Sequence, residues 1–181
     1  MRRILSLAAL SILTLSASAS AQRSSSYSAS PSPEIGMDAG LIFGLSTPST
    51  TTFQLPLQQI RMGFFLSPVL SIEPTVGFSS FSGGGFSGTD YNIGAGLLYH
   101  FSPSRAANQF YVRPFLGING QSGDLGSGST VAFGVGGGLK MPLRDRIASR
   151  FEATFAHQGG RNGGAGQDAL GLLAGLSFYT R

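Results

Sequence analysis

The 181-residue chain has no cysteine, no tryptophan and two histidines, and only 11% of it is charged, against 41% hydrophobic. Without cysteine there is no disulfide framework, thiolate metal site or cysteine nucleophile, and His100 with His157 is too small a set for a His-built metal centre. No metal, cofactor or catalytic residue is therefore expected. So little charge argues against disorder driven by self-repulsion. Long apolar runs are also missing: the stretch from Ile4 to Leu15 falls short of the roughly 20 residues of a membrane-spanning helix, and no later segment reaches that length. Basic clusters are absent too. After Arg2 and Arg3, Arg144 and Arg146 form the densest local pair, so nucleic acid is not an expected partner.

What is present begins with an export signal. Arg2 and Arg3 precede the apolar stretch, and small residues follow to Ala19-Ser20-Ala21, so residues 1–21 read as a signal peptide cleaved before Gln22. Losing Arg2 and Arg3 lowers the formal net charge from +4 to +2. Residues 22–34 are Ser-rich with Pro31 and Pro33 and read as a flexible leader. Residues 35–181 then form the one folded domain, and 27 glycines argue against a mainly helical one.

Within that domain apolar residues recur at every second position, the period of a half-buried strand. Tyr91, Ile93, Ala95, Leu97, Tyr99 and Phe101 are interleaved with Asn92, Gly94, Gly96 and His100. The same alternation runs through Ile60–Leu66, Leu70–Phe78, Phe110–Ile118, Val131–Met141, Phe151–Phe155 and Leu170–Phe178. A less regular first strand near Ile35 to Leu45 brings the expected count to eight. Connections alternate as well. Compact turns with proline or charge (Ser67-Pro68, Ser102 to Arg105, Pro142 to Asp145) take turns with Ser-, Thr- and Gly-rich loops (Ser46 to Gln54, Ser79 to Asp90, Gly120 to Ser129, Gln158 to Gln167). An all-β, eight-stranded antiparallel up-and-down transmembrane β-barrel has this layout, with its short turns periplasmic.

Energy decides which face points out. Arg or Lys facing lipid near the midplane costs about 2–4 kcal/mol, so the row bearing Arg61, Glu73, Arg113, Arg150 and Glu152 must face the lumen if lipid surrounds the barrel. A soluble periplasmic lipocalin-like binding barrel inverts this arrangement, and alternation alone does not separate the two. Gly94, Gly96, Gly134, Gly136, Gly138, Gly171 and Gly175 share the charged row. A cramped lumen needs such small neighbours beside long side chains, and a water-facing surface does not.

With these features, and with Ile72-Glu73-Pro74-Thr75-Val76-Gly77-Phe78 and Val112-Arg113-Pro114-Phe115-Leu116-Gly117, the chain resembles the small outer-membrane β-barrel proteins of Gram-negative bacteria, of the OmpA transmembrane, OmpX and OmpW type. The resemblance implies a monomer in the cell outer membrane. Its implied partners are outer-membrane lipid, the assembly machinery and an extracellular surface partner reached through the loops. That family ends on an aromatic residue, whereas here Phe178-Tyr179 is followed by Thr180-Arg181.

Counted from the preceding turns, Glu73, Arg113, Arg150 and Glu152 fall at similar heights, with Arg61 diagonal to Glu73. Buried charges persist only when paired, so these five are expected to form an ion-pair layer that occludes the lumen. Pro74 and Pro114 each remove a ladder donor, and bulges are expected there. His157 lies near where the outer-membrane lipid A deacylases place a catalytic histidine, but Gly159 stands where their serine nucleophile would be. His100 reads as a polar residue at the periplasmic rim. The expected function is a non-enzymatic structural or surface-interaction role. A conduit for small hydrophobic molecules is the alternative, with Leu98, Phe115 and Leu173 as its few inward apolar candidates.

Overall fold

The structure, a computed structural model, describes residues 32–46, 49–54, 59–103, 107–124, 126–160 and 164–180. The expected signal peptide lies outside the described residues, as does most of the expected leader. The leader's last two residues belong to the barrel instead: Thr180 donates to the Pro33 carbonyl at 2.9 Å, and Glu34 opens the first strand.

The strands are β1 (Glu34–Gly44), β2 (Thr50–Gln54), β3 (Ile60–Ser67), β4 (Leu70–Gly83), β5 (Phe86–His100), β6 (Gln109–Gly123), β7 (Gly128–Arg144), β8 (Ile147–Gln158) and β9 (Gln167–Tyr179). Consecutive strands pair antiparallel from β3 to β9, and β9 closes on β1 from Glu34↔Tyr179 to Gly44↔Ala169. β2 and β3 share one stave. β3 pairs the first residues of β1 and β2 pairs its last five, so nine segments make an eight-stave closed barrel. Following the ladder from Gly36 through Arg61, Thr75, Gly94, Gly117, Ala132 and Gln158 to Gln167 returns it to β1 near Ser46. A stagger of that size requires strands tilted by about 35–45°.

Several connections differ from the sequence reading. The expected loop Ser79 to Asp90 is a hairpin, with β4 and β5 in register up to Gly83↔Phe86. Its two-residue turn uses Gly84 (φ 62°) and Gly85 (φ 83°), the left-handed pair that a tight hairpin of the right twist demands. Gly120 to Ser129 and Ser46 to Gln54 are likewise partly strand. Polar, Gly-rich composition suggested loops, but each segment lies beside an already formed strand that satisfies its backbone.

The bulges expected at Pro74 and Pro114 are absent. Pro74 pairs with Ala95 and Pro114 with Val135 in unbroken register. On the other side of each proline the ladder lapses, between Arg61↔Thr75 and Phe64↔Ile72 and between Gly96↔Phe115 and Tyr99↔Val112, yet the register resumes unshifted. The missing N–H is thus absorbed by a local gap. Register shifts occur instead next to the short turns, at Phe65/Ser67 and Pro142/Arg144.

The molecule is apolar outside and charged inside. Phe78, Leu66, Phe110, Leu116, Ile93 and Leu172 are more than half exposed on the outer wall, whereas Arg61, Glu73, Lys140 and Arg150 are buried. This distribution overturns the soluble lipocalin-like reading, because a barrel with that wall in water would expose a continuous apolar belt.

Candidate functional site

Inward-facing positions on six strands converge in one layer across the lumen. On β3, Arg61 sits opposite Thr75 of β4 and reaches diagonally to Glu73, donating from Nη1 to Oε2 at 3.0 Å. The same guanidinium forks onto Asp38 of β1, Nε to Oδ2 at 2.6 Å and Nη2 to Oδ1 at 3.1 Å, and touches Glu34 Oε1 at 3.2 Å. Lys140 of β7, the chain's single lysine, donates to Glu34 Oε2 at 2.6 Å. Arg150 and Glu152 are two apart on β8 and therefore share its inner face. They pair with each other while Arg150 Nη1 donates to Glu73 Oε2 at 2.6 Å. Arg113 of β6 donates from Nε and Nη2 to Glu152 Oε1 at 3.0 and 2.6 Å.

All five sequence-predicted residues thus meet in one network. Glu34, Asp38, Tyr111 and Lys140 belong to it as well and were missed. The Tyr111 hydroxyl donates to Glu152 Oε2 at 2.6 Å, and its ring lies 4.9 Å from the Arg150 guanidinium. Glu34 and Asp38 alternate with Gly36 and Gly40, a period-two signal that was hidden by assigning Glu34 to the leader. Four carboxylates (Glu34, Asp38, Glu73, Glu152) face four cations (Arg61, Arg113, Lys140, Arg150), so the layer is formally neutral. Neutrality matters because a buried charge without a partner is expensive, while an interlocked set offsets its own desolvation.

Glycines make the room. A Cβ at Gly96 would stand 2.9 Å from the Arg113 side-chain carbons, and one at Gly136 would overlap the Glu152 carboxylate. The long side chains of one strand therefore lie flat over the bare backbone of the next.

On the turn side of the layer, His100 is fully buried rather than placed at a polar rim. It stacks on Phe65 with centroids 5.5 Å apart, and its Nε2 is hydrogen-bonded to Ser71 Oγ at 3.2 Å. The inward side chain of β5 at this level has no water to reach, because Leu98, Tyr111 and Gln109 are buried around it. On the loop side a cavity of about 330 Å³ is lined by Thr75, Asn92, Arg113, Phe115, Asn119, Thr154, Gln158 and Leu173. Of the inward apolar candidates, Phe115 and Leu173 face this cavity, while Leu98 is packed below.

His157 sits apart, on the outer wall near the loop end of β8. Its Nδ1 is 2.7 Å from Asp168 Oδ1, directly across the β8–β9 ladder, and its ring tilts against Phe133. Among the described hydrogen bonds this is the one His157 makes, and Gly159 brings no hydroxyl to it.

Comparison with solved structures places the fold. Neisserial surface protein A is similar at a TM-score of 0.65 with 19% identity, over 82% of this chain and 97% of that one. OprG from Pseudomonas aeruginosa (TM-score 0.47, 10% identity, 83% and 96% covered) and the outer membrane enzyme PagL (0.48, 16%, 76% and 97%) are more distant. Comparison with curated protein sequences finds no match. The family model described as the outer membrane protein beta-barrel domain matches residues 5–178. With a lipid-compatible wall, a closed eight-stave barrel and that match over nearly its whole length, the chain belongs to the outer membrane protein β-barrel domain family and resides in the bacterial outer membrane.

Proposed function

We propose that the protein is a non-enzymatic, monomeric barrel that serves envelope integrity or surface contact, with its lumen closed by the ion-pair layer. The observation that carries this reading is the neutral set of four carboxylates and four cations, all buried and drawn from six strands. Such a cross-brace resists flattening of the barrel and leaves no continuous water path through its level. Among the described residues no hydroxyl or thiol is hydrogen-bonded to His157, and acyl transfer needs one within reach of its base. A hydrophobic conduit is not favoured: the larger apolar hollows, lined for example by Phe110, Leu139, Phe151 and Leu172, lie on the outer wall, where lipid fills them.

Contact with other surfaces falls to the loop side, where the β4–β5 hairpin carries the exposed Phe81 and Phe86. Deleting Ser79 to Gly88 is expected to lower cell-surface binding without unfolding the barrel. For occlusion the measurement is single-channel conductance in planar bilayers. Wild type should show no large, stable open steps, and their appearance would refute closure.

A further inference from the structure

We propose that the loop-side half of the lumen is a binding cup for a small neutral polyhydroxy ligand, a sugar ring entering from outside the cell. The cavity of about 330 Å³ falls within the range of small-molecule sites. Its wall carries the amides and hydroxyls of Thr75, Asn92, Asn119, Thr154 and Gln158, with Phe115 as an aromatic flank. Each amide both donates and accepts, and each hydroxyl does too, which matches a ligand built from hydroxyl groups.

The floor selects against charge. Arg113 forms part of it, but two of its nitrogens are held by Glu152, its guanidinium lies 4.7 Å from the Phe115 centroid, and the layer beneath is formally neutral. Asp168, the other charged residue of the lining, is held by His157, so neither an anion nor a cation finds an unpaired opposite charge. An apolar ligand would strand the wall amides without water. One acceptor of the wall, moreover, receives no hydrogen bond among the described residues. Asn92 gives its Nδ2 to Asn119 Oδ1 and leaves its own Oδ1 unpartnered. A wall acceptor that lacks a donor favours a ligand that brings an O–H to it.

Under the layer, beside Gln109, Lys140 and Tyr179, lies a hollow of about 10 Å³, and the layer itself crosses the lumen between it and the cup. The cup is therefore a dead end, and the ligand leaves by the mouth it entered. This last point rests on the occluded-lumen reading; the site itself does not.

The test uses the mature protein refolded in lauryldimethylamine oxide micelles, a detergent without sugar. Methyl glucoside, maltose and a long glycan with a terminal hexose are titrated in turn, followed by side-chain amide signals and calorimetry. Saturable shifts at Asn92 and Asn119 are expected, weakened about tenfold by Asn92→Leu and abolished by Ala156→Phe, which fills the cup from a small lining residue and leaves the polar groups in place. Equal affinity for methyl glucoside and glycan identifies a free sugar, and binding of the glycan alone identifies a surface glycan. No saturable shift with any probe, or binding untouched by both substitutions, overturns the proposal. Liposome swelling separates the two readings. Sugar that binds and also crosses refutes occlusion and keeps the cup, whereas absent binding with absent flux refutes the cup and keeps occlusion.

Discussion

Replacing Glu73 with glutamine removes one charge from the centre of the lumen while keeping the side-chain volume. Glu73 Oε2 accepts from Arg61 at 3.0 Å and from Arg150 at 2.6 Å, and the carboxylate is buried. In Glu73→Gln both contacts lose their ion-pair character, although the guanidinium donors stay charged, and four cations face three carboxylates in a space that excludes water. Removing one partner of a buried ionic set costs about 3–5 kcal/mol, and because the glutamine carbonyl still accepts a hydrogen bond the lower end, about 3 kcal/mol, is expected. The second arm restores neutrality: adding Arg150→Met leaves three cations and three carboxylates and should recover at least about half of the loss, a coupling that a double-mutant cycle isolates. Urea unfolding from phosphatidylcholine vesicles reads both. Since the chain has no tryptophan, circular dichroism and heat-modifiable gel mobility serve as probes. If Glu73→Gln unfolds within about 0.5 kcal/mol of wild type, the lumen charges are individually solvated by water and the interlocked layer is wrong.

Three more expectations follow from other parts of the barrel. Leu116→Arg, on the outer wall at the middle of β6, should cost about 2–4 kcal/mol in vesicle unfolding; an indifferent result would mean that this row does not face acyl chains. Gly136→Val places carbon where the Glu152 carboxylate lies, so it should destabilise by about 1–3 kcal/mol and raise bilayer conductance together, and either effect alone would contradict the packing described. At the loop side, hydrogen bonds from the Ser87 backbone N–H and then its hydroxyl hold the exposed Asp124 carboxyl below its ordinary range. A depressed carboxyl stabilises its loop above about pH 4 and loses that contribution as pH falls through its lowered pKa. The Ser87 amide shift should titrate with a midpoint below about 3.9, and a midpoint at or above that value would refute the contact.

Much of the barrel was legible before any coordinates because a strand between lipid and lumen must alternate, and every residue then declares its side. The rows through Tyr91 to Phe101 and Phe110 to Ile118 left little freedom in register or orientation, and Arg61, Glu73, Arg113, Arg150 and Glu152 declared themselves as charges on the inward parity. Glu34 and Asp38 were less visible, since a Ser- and Pro-rich leader abuts them and the first strand lacks a clean apolar row. Tyr111 was ambiguous because an aromatic ring is at home on either face.

Sequence alone determined the parity and the stave count, because both follow from the local alternation of polar and apolar side chains, whereas the closed barrel decided which row faces out by burying the charged one. Which charges meet was a matter for the closed barrel. The stagger around the ladder brings Glu34 of β1 to Lys140 of β7 and Glu73 of β4 to Arg150 of β8, residues 106 and 77 positions apart in the chain. The space left above them depends on the same closure, because the volume of a lumen is set by tilt and circumference, properties of the whole ring that no single strand contains.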